Sequence, residues 1–305
     1  MTDTLGRRLA ENVGKVMLGK SEAVERTVIA LIAGGHLLIE DRPGVGKTLL
    51  ARAIARSLDL PWQRLQCTAD LLPADVIGSQ IWSPQTGELR FHPGPVFTSV
   101  LIADELNRTP PRTQSALLEC MAERSVTVDG RPNALPDPLF VVATQNPYTS
   151  AGTYPLPESQ LDRFLMRIAI GYPSAGDELR VAQQRDGHAA LGQLGAIAGG
   201  EQVRAARRAV EEVRVQDDVL RYLVELCRRT RSLSDVALGV SPRGTQALHR
   251  AVRARAVLAD RDYVVPDDVQ KLAVPVLAHR LQVDGGTDTA EAIVADLTTR
   301  TASPD

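Results

Sequence analysis

Long unbroken hydrophobic runs are missing from this 305-residue chain. The longest apolar stretch, 28–39, is interrupted by Gly34-Gly35-His36 and is too short to span a bilayer, so direct membrane insertion is not expected. The first sixteen residues carry several charges and no apolar h-region; no signal peptide is expected, and the expected location is the cytoplasm. Cysteine is scarce. Cys67, Cys120 and Cys227 are scattered, odd in number and without a C-x-x-C, which argues against disulfides and zinc and for buried thiols in a reducing compartment. The five histidines lack metal-ligand spacing and read as structural. Neither sign of charge dominates: the formal net charge is −2. With no basic strip interleaved with aromatics, no nucleic-acid partner is expected. No internal repeat is visible.

What is present is enough apolar residue, 44%, for a substantial core, and enough length for two domains. Apolar runs at 37–40, 100–103, 140–143 and 165–170, with a weaker one at 62–67, read as buried strands. Helical spacing falls at 21–33, 49–57 and 113–122. Alternation of strands and helices predicts an α/β core, a parallel sheet with helices on both faces. Near 185 the composition shifts to Gly and Ala, which reads as a hinge. Beyond Glu201 the pattern is helical. Arg207 and Glu211, Arg208 and Glu212, and Arg221 and Glu225 stand at i,i+4, as on solvated helix faces. Ser241-Pro242 and Pro266-Asp267-Asp268 are helix starts. The expected organisation is therefore a core at 1–175, a hinge at 176–200 and a small all-α lid at 201–305.

The most informative stretch is 36–48. The apolar run ending at Glu40-Asp41 is followed by Arg42-Pro43-Gly44-Val45-Gly46-Lys47-Thr48, and Leu49 then begins a helical pattern. Strand, glycine-rich turn and helix N-terminus form a phosphate cradle of backbone N–H groups. Pro43 through Leu49 would surround the phosphates, Lys47 would reach the β/γ-phosphates, and the Thr48 hydroxyl would ligate Mg²⁺. Asp41 stands where the common pattern G-x-x-x-x-G-K-[ST] has its first Gly, a variant that Pro43-Gly44 can accommodate.

A second signal is Val100-Leu101-Ile102-Ala103-Asp104-Glu105, a strand that delivers two carboxylates at its C-terminal end, where open parallel sheets bind ligands. Asp104 would hold Mg²⁺ and Glu105 would polarise the attacking water. Ala143-Thr144-Gln145-Asn146-Pro147 ends another strand in polar residues, with Asn146 placed to contact that water or the γ-phosphate. Taken alone, each would read as a helix cap or a turn.

The order of these motifs resembles the AAA+ ATPases, and the details resemble the MoxR group. The resemblance rests on 40–48, on Ala103-Asp104-Glu105-Leu106-Asn107-Arg108 continuing to Glu119, on 143–147, and on 152–164 with its Leu161-Asp162-Arg163-Phe164. It spans about 12–285, and the 103–119 block is its most specific part. The resemblance implies a Mg²⁺-dependent P-loop NTPase using ATP, with nucleotide between core and lid. It implies that Asn146 is the sensor-1 residue, that Arg163 is an arginine finger reaching a neighbouring subunit, and that Arg243 in Ser241-Pro242-Arg243 is the sensor-2 residue contacting phosphate from the lid. It further implies a homo-oligomeric ring, in all expectation a hexamer, and chaperone-like remodelling of partners that contain a von Willebrand factor A-type domain. Alternatives are a magnesium-chelatase-type motor subunit or a nucleotide-switched binding module; Glu105 together with Arg163 argues against the latter. A sigma-factor activator is disfavoured because the Gly-Ala-Phe-Thr-Gly-Ala loop is absent. Two hairpins, at 81–91 and 125–131, resemble family insertions that face a pore or partner; Trp82 and Phe91 could serve such a contact or pack on each other.

Overall fold

The computed structural model describes residues 4–147, 152–183 and 187–304, with the side chains of 187–189 left aside. Five strands form the central sheet: β1 (Leu37–Glu40), β2 (Trp62–Gln66), β3 (Val100–Asp104), β4 (Phe140–Gln145) and β5 (Met166–Ile168). Their spatial order is β5-β1-β4-β3-β2, and every neighbouring pair is parallel. The strand expected at 165–170 is shorter, because the chain turns off the edge after Ile168. The weaker run at 62–67 is a full partner of β3, from Trp62 opposite Val100 to Gln66 opposite Asp104.

Successive side chains of a strand leave on opposite faces, and here each face meets its own hydrophobic cluster. Leu37 and Ile39 point to one cluster with Val100, Ile102, Phe140 and Val142, and Leu38 points to the other with Leu101, Val141 and Ala143. The first face is covered by α1 (Leu5–Gly14), α2 (Ser21–Ile32) and α3 (Lys47–Ser57), and the second by α4 (Pro111–Glu123). Pro111 opens α4 at the position where a missing N–H costs nothing.

The C-terminal part is helical: α5 (Ala175–Gln183), α6 (Gly200–Glu212), α7 (Asp217–Arg229), α8 (Pro242–Leu258), α9 (Pro266–Leu277) and α10 (Gly286–Arg300). Ser241 caps α8 by accepting from Gly244 N at 3.2 Å. One short antiparallel pair, Val236–Leu238 with Gln282–Val283, interrupts the helical pattern. The lid is not a separate globule: Leu248, Ala251 and Val252 of α8 join the same cluster as Leu9, Val13, Val28 and Ile29. Residues 184–186 of the expected hinge lie outside the described residues. Around them, Ala198–Gly199 pairs with Leu58–Asp59, and Leu191, Leu194 and Ala198 are buried.

Several surface expectations change. Arg207 does not pair with Glu211. It turns inward and donates to Leu31 O and Leu139 O, both at 3.2 Å, and to Asp137 Oδ1 at 3.4 Å, and burial brings its guanidinium down to about 10. Arg208 reaches Glu201, and Glu225 pairs with Arg229. Both hairpins form, as Gly78–Ser83 with Glu88–Pro93 and Ser125–Val128 with Arg131–Ala134. Phe91 packs edge-on against Phe97, 5.4 Å between centroids, rather than on Trp82, which is exposed opposite Leu89. Cys67, Cys120 and Cys227 are free and buried. Among the described residues no helix is long and apolar enough to cross a membrane.

Candidate active site

All five parallel strands present their C-terminal ends at one edge of the sheet, and the candidate residues converge there. β1 runs into the loop 41–46, and α3 starts at Lys47. Gly44 and Gly46 stand at φ of 82° and 97°, where a side chain would be strained, so the loop geometry depends on glycine. The resulting cleft, about 360 Å³, is lined by Pro43, Gly44, Gly46, Lys47, Thr48 and Leu49 from the loop and α3, and by Asp104, Glu105, Thr144 and Asn146 from β3 and β4. Val45 packs against the core instead.

Asp41 does more than replace a glycine. Its carboxylate accepts from Arg42 N at 2.7 Å on one oxygen, and from Ile170 N and Gly171 N at 2.7 and 2.6 Å on the other. The variant side chain thus ties the phosphate loop to the segment leaving β5. Lys47 Nζ donates to Asp41 O and, at 2.8 Å, to Gln145 O. Burial holds the ammonium below its ordinary pKa, while Asp41, Glu105, Glu40 and Asp104 pull it back up.

Asp104 is a crowded carboxylate. Thr48 Oγ1 donates to its Oδ1 at 3.1 Å, Thr144 Oγ1 stands 3.4 Å from the same oxygen, and Arg64 Nε donates to Oδ2 at 2.7 Å. The donor set fits a magnesium ion. Adjacent oxygen ligands of an octahedral Mg²⁺ lie about 2.9 Å apart for bonds of about 2.0–2.1 Å, close to the Thr48–Asp104 separation. Among the described residues no group of three or more His, Cys, Asp or Glu is placed to hold a metal ion, so one carboxylate and one hydroxyl would need phosphate oxygens and water to complete the shell.

Glu105 sits in the left-handed region, φ 59° and ψ 49°, directly after β3. For a non-glycine residue this conformation costs on the order of 1–3 kcal/mol, a strain typical of functional positions. Thr144 Oγ1 accepts from Glu105 N at 3.0 Å, and Arg108 Nη1 pairs with the carboxylate at 2.9 Å. The carbonyl of Asn146 accepts from Asn107 Nδ2 at 3.2 Å.

Arg163, expected to serve a neighbouring subunit, and Arg243, expected to contact phosphate from the lid, both lie outside this cleft. Arg163 and Arg243 line a separate cavity of about 170 Å³ beside Gly34, Gly35 and His36, which precede β1. That cavity lies at the N-terminal end of β1, opposite the phosphate loop. Every residue lining the cleft lies between 43 and 146, within the core. The lid approaches the site from behind. Gln145 Nε2 donates to Glu40, Arg167 Nη1 lies 3.8 Å from Glu40, and Arg167 donates to Thr287 Oγ1 at 2.9 Å and to Glu291 of α10 at 3.2 Å.

Arg64 and Gln66 also line the cleft, and sequence reasoning missed them. Their signal was present but faint: they flank Leu65 on β2, so they share one face of a strand adjacent to β3.

Comparison with known proteins gives the family and the fold. Residues 36–166 match the ATPase family associated with various cellular activities (AAA), and 228–297 match the AAA lid domain. The chain is 47% identical over 276 residues to the uncharacterized protein YeaC of Bacillus subtilis, covering 90% of this chain and 86% of that one. It is 39% identical to Chaperone MoxR1 of Mycobacterium tuberculosis, covering 91% and 75%, and 35% identical to Protein MoxR of Paracoccus denitrificans, covering 87% and 85%. A solved structure of a proposed ATPase from Cytophaga hutchinsonii superposes with a TM-score of 0.86 at 34% identity, over 98% of this chain and 94% of that one.

Proposed function

This chain belongs to the MoxR family of AAA+ ATPases, and from that premise we propose that it is a Mg²⁺-dependent ATP hydrolase that works as a homo-oligomeric ring, a hexamer, and remodels or matures partner proteins. The convergence of Lys47, Thr48, Asp104, Glu105 and Asn146 on one cleft carries the reading. Lys47 and the loop N–H groups bind the triphosphate, and Asn146 with Glu105 orients and polarises the attacking water. Thr48 and Asp104 would hold the magnesium ion, which when bound screens charge on the β- and γ-phosphates.

Arg163 and Arg243 act on a neighbour's nucleotide in this reading, since they stand at the far end of β1 from their own phosphate loop. The Gln145–Glu40–Arg167–Glu291 chain of contacts links the water-orienting strand to the lid, a route by which hydrolysis moves the lid about a hinge near 176–200. The exposed Trp82 hairpin offers a surface to the client. In this reading the partners carry a von Willebrand factor A-type domain, as the family resemblance implies, and the work is done in the cytoplasm.

Turnover per protomer measured against protein concentration tests the ring. Turnover should rise steeply as protomers associate, and mixing Arg163→Ala with Lys47→Ala protein should restore activity that neither has alone. Constant turnover at all concentrations, with no recovery on mixing, would sink the reading.

A further inference from the structure

The cavity that holds Arg163 and Arg243 contains more positive charge than those two residues. Arg124, Arg250 and Arg280 also line it, against a single carboxylate, Asp162. That carboxylate is already taken by Arg280 Nε at 2.7 Å. Among the described residues, Arg124, Arg163, Arg243 and Arg250 have no carboxylate within ion-pair distance, and Arg163 is satisfied only by the carbonyl of Leu118 at 2.7 Å. Four guanidinium groups from three parts of the chain are thus brought together without counter-charge. Arg124 ends α4, itself in the left-handed region at φ 52°; Arg163 precedes β5; Arg243 and Arg250 lie on α8, seven residues apart and so two turns along one helix face.

This arrangement opposes folding unless something negative enters. The guanidinium of Arg250 is held below its ordinary value by partial desolvation and then by Arg124 and Arg243. Arg207 is likewise lowered by burial and then by Arg124. At about 170 Å³ the cavity is smaller than the roughly 300–1,000 Å³ of pockets that enclose whole small molecules. It fits the charged end of a ligand whose remainder is held elsewhere. The ligand cannot be the chain's own nucleotide, because the cavity borders residues 34–36 before β1, whereas the phosphate loop follows β1 at the opposite edge of the sheet.

We propose that Arg124 and Arg250 join Arg163 and Arg243 as a four-arginine cradle for the terminal phosphates of a nucleotide bound in the neighbouring protomer's cleft. This rests on the ring reading above and extends it by two residues that no sequence motif marks. Arginine suits the task because its planar fork can take two phosphate oxygens at once and never loses its charge. Charge supplied in trans at this point stabilises the transferred phosphoryl group as it separates.

The test uses the full-length protein with Arg124→Gln, Arg250→Gln, the double variant and Arg163→Ala. Both new positions are exposed, so folding should be preserved, and a thermal midpoint at or above the parent's, as relief of like-charge repulsion requires, checks this. The double variant should bind a fluorescent ATP analogue within about twofold of the parent at concentrations where protomers are separate, and should lose at least about tenfold in kcat once assembled. Mixing it with Lys47→Ala protein should restore turnover, because intact arginines then face intact clefts. Arg124→Lys with Arg250→Lys should recover part of the loss. If the double variant keeps full kcat while Arg163→Ala loses it, the four-arginine cradle is wrong and the ring reading stands. If Arg163→Ala also keeps full kcat, the ring reading itself fails.

Discussion

Lys47 Nζ donates a 2.8 Å hydrogen bond to the carbonyl oxygen of Gln145, joining the first residue of α3 to the last residue of β4. The same ammonium reaches Asp41 O, so two backbone carbonyls occupy the charge that a phosphate would take. If Lys47 takes the phosphate-binding role proposed above, nucleotide entry would exchange these carbonyl partners for phosphate oxygens and release the Gln145 carbonyl.

Lys47→Ala removes the only ammonium among the residues lining the cleft. Charge-assisted hydrogen bonds contribute about 1.5–3 kcal/mol each, so losing two should weaken ATP binding at least about 100-fold. Equilibrium titration with a fluorescent nucleotide measures this; affinity within about threefold of the parent would remove Lys47 from the phosphate-binding role.

Glu105→Gln keeps the shape of the side chain and removes its basicity. Binding of ATP should persist, with hydrolysis slowed about 10²–10⁴-fold, the range expected for a lost general base. Single-turnover kinetics separate the two effects, and unchanged chemistry would move the water-activating role to another group.

Asp41→Gly would restore the commoner phosphate-loop pattern and should nevertheless destabilise this protein. It deletes the acceptor for Ile170 N and Gly171 N and adds backbone freedom. Urea unfolding should show a loss of about 2 kcal/mol, and a variant as stable as the parent would show that the anchor is unimportant.

Arg167→Met and Glu291→Gln should differ sharply. The Arg167 side chain is only 7% exposed and faces Glu40, itself 12% exposed, so its removal leaves a buried carboxylate without its cation and should cost about 3 kcal/mol. Glu291 is about half-exposed, and losing its charge should cost under about 1 kcal/mol. Equal losses in the two variants would contradict this account of the core–lid contact.

His36 ties stability to pH. Val141 N donates to its Nδ1 at 3.1 Å, which fixes the proton on Nε2, 3.2 Å from Met121 O. Burial, with Arg207, Arg124 and Arg250 nearby, lowers its pKa from 6.5 to about 4. The unfolded chain therefore binds a proton first as pH falls. The stability this imidazole contributes is complete above about pH 6.5 and declines until about pH 4, by about 3 kcal/mol. The difference in unfolding free energy between the parent and His36→Asn should shrink over that interval, and a constant difference would exclude the effect.

The sheet and the phosphate loop were legible because each is written in contiguous residues: an apolar run, then glycines, then Lys47-Thr48. Glu105 and Asn146 were legible because each follows such a run. The ends of β5 and the role of Asp41 were not, since both depend on Ile170 and Gly171 folding back onto the loop. Arg207 carried a helix-surface spacing with Glu211 but answers to the carbonyls of Leu31 and Leu139, which are distant in sequence. The location of Arg163 and Arg243 at the opposite edge from the cleft follows from strand direction, and became readable only when residues 34–36 were seen beside them.

If the arginine cavity completes a neighbour's cleft, as proposed above, the molecule has a head at one edge of its parallel sheet and a tail at the other. Two copies related by a twofold axis would set like edges together and leave every cleft incomplete. Only repetition of a single head-to-tail contact completes each site, and such a contact either closes after a whole number of copies or continues as a filament. The curvature of that one contact, rather than any added segment, then decides how many copies close the circle.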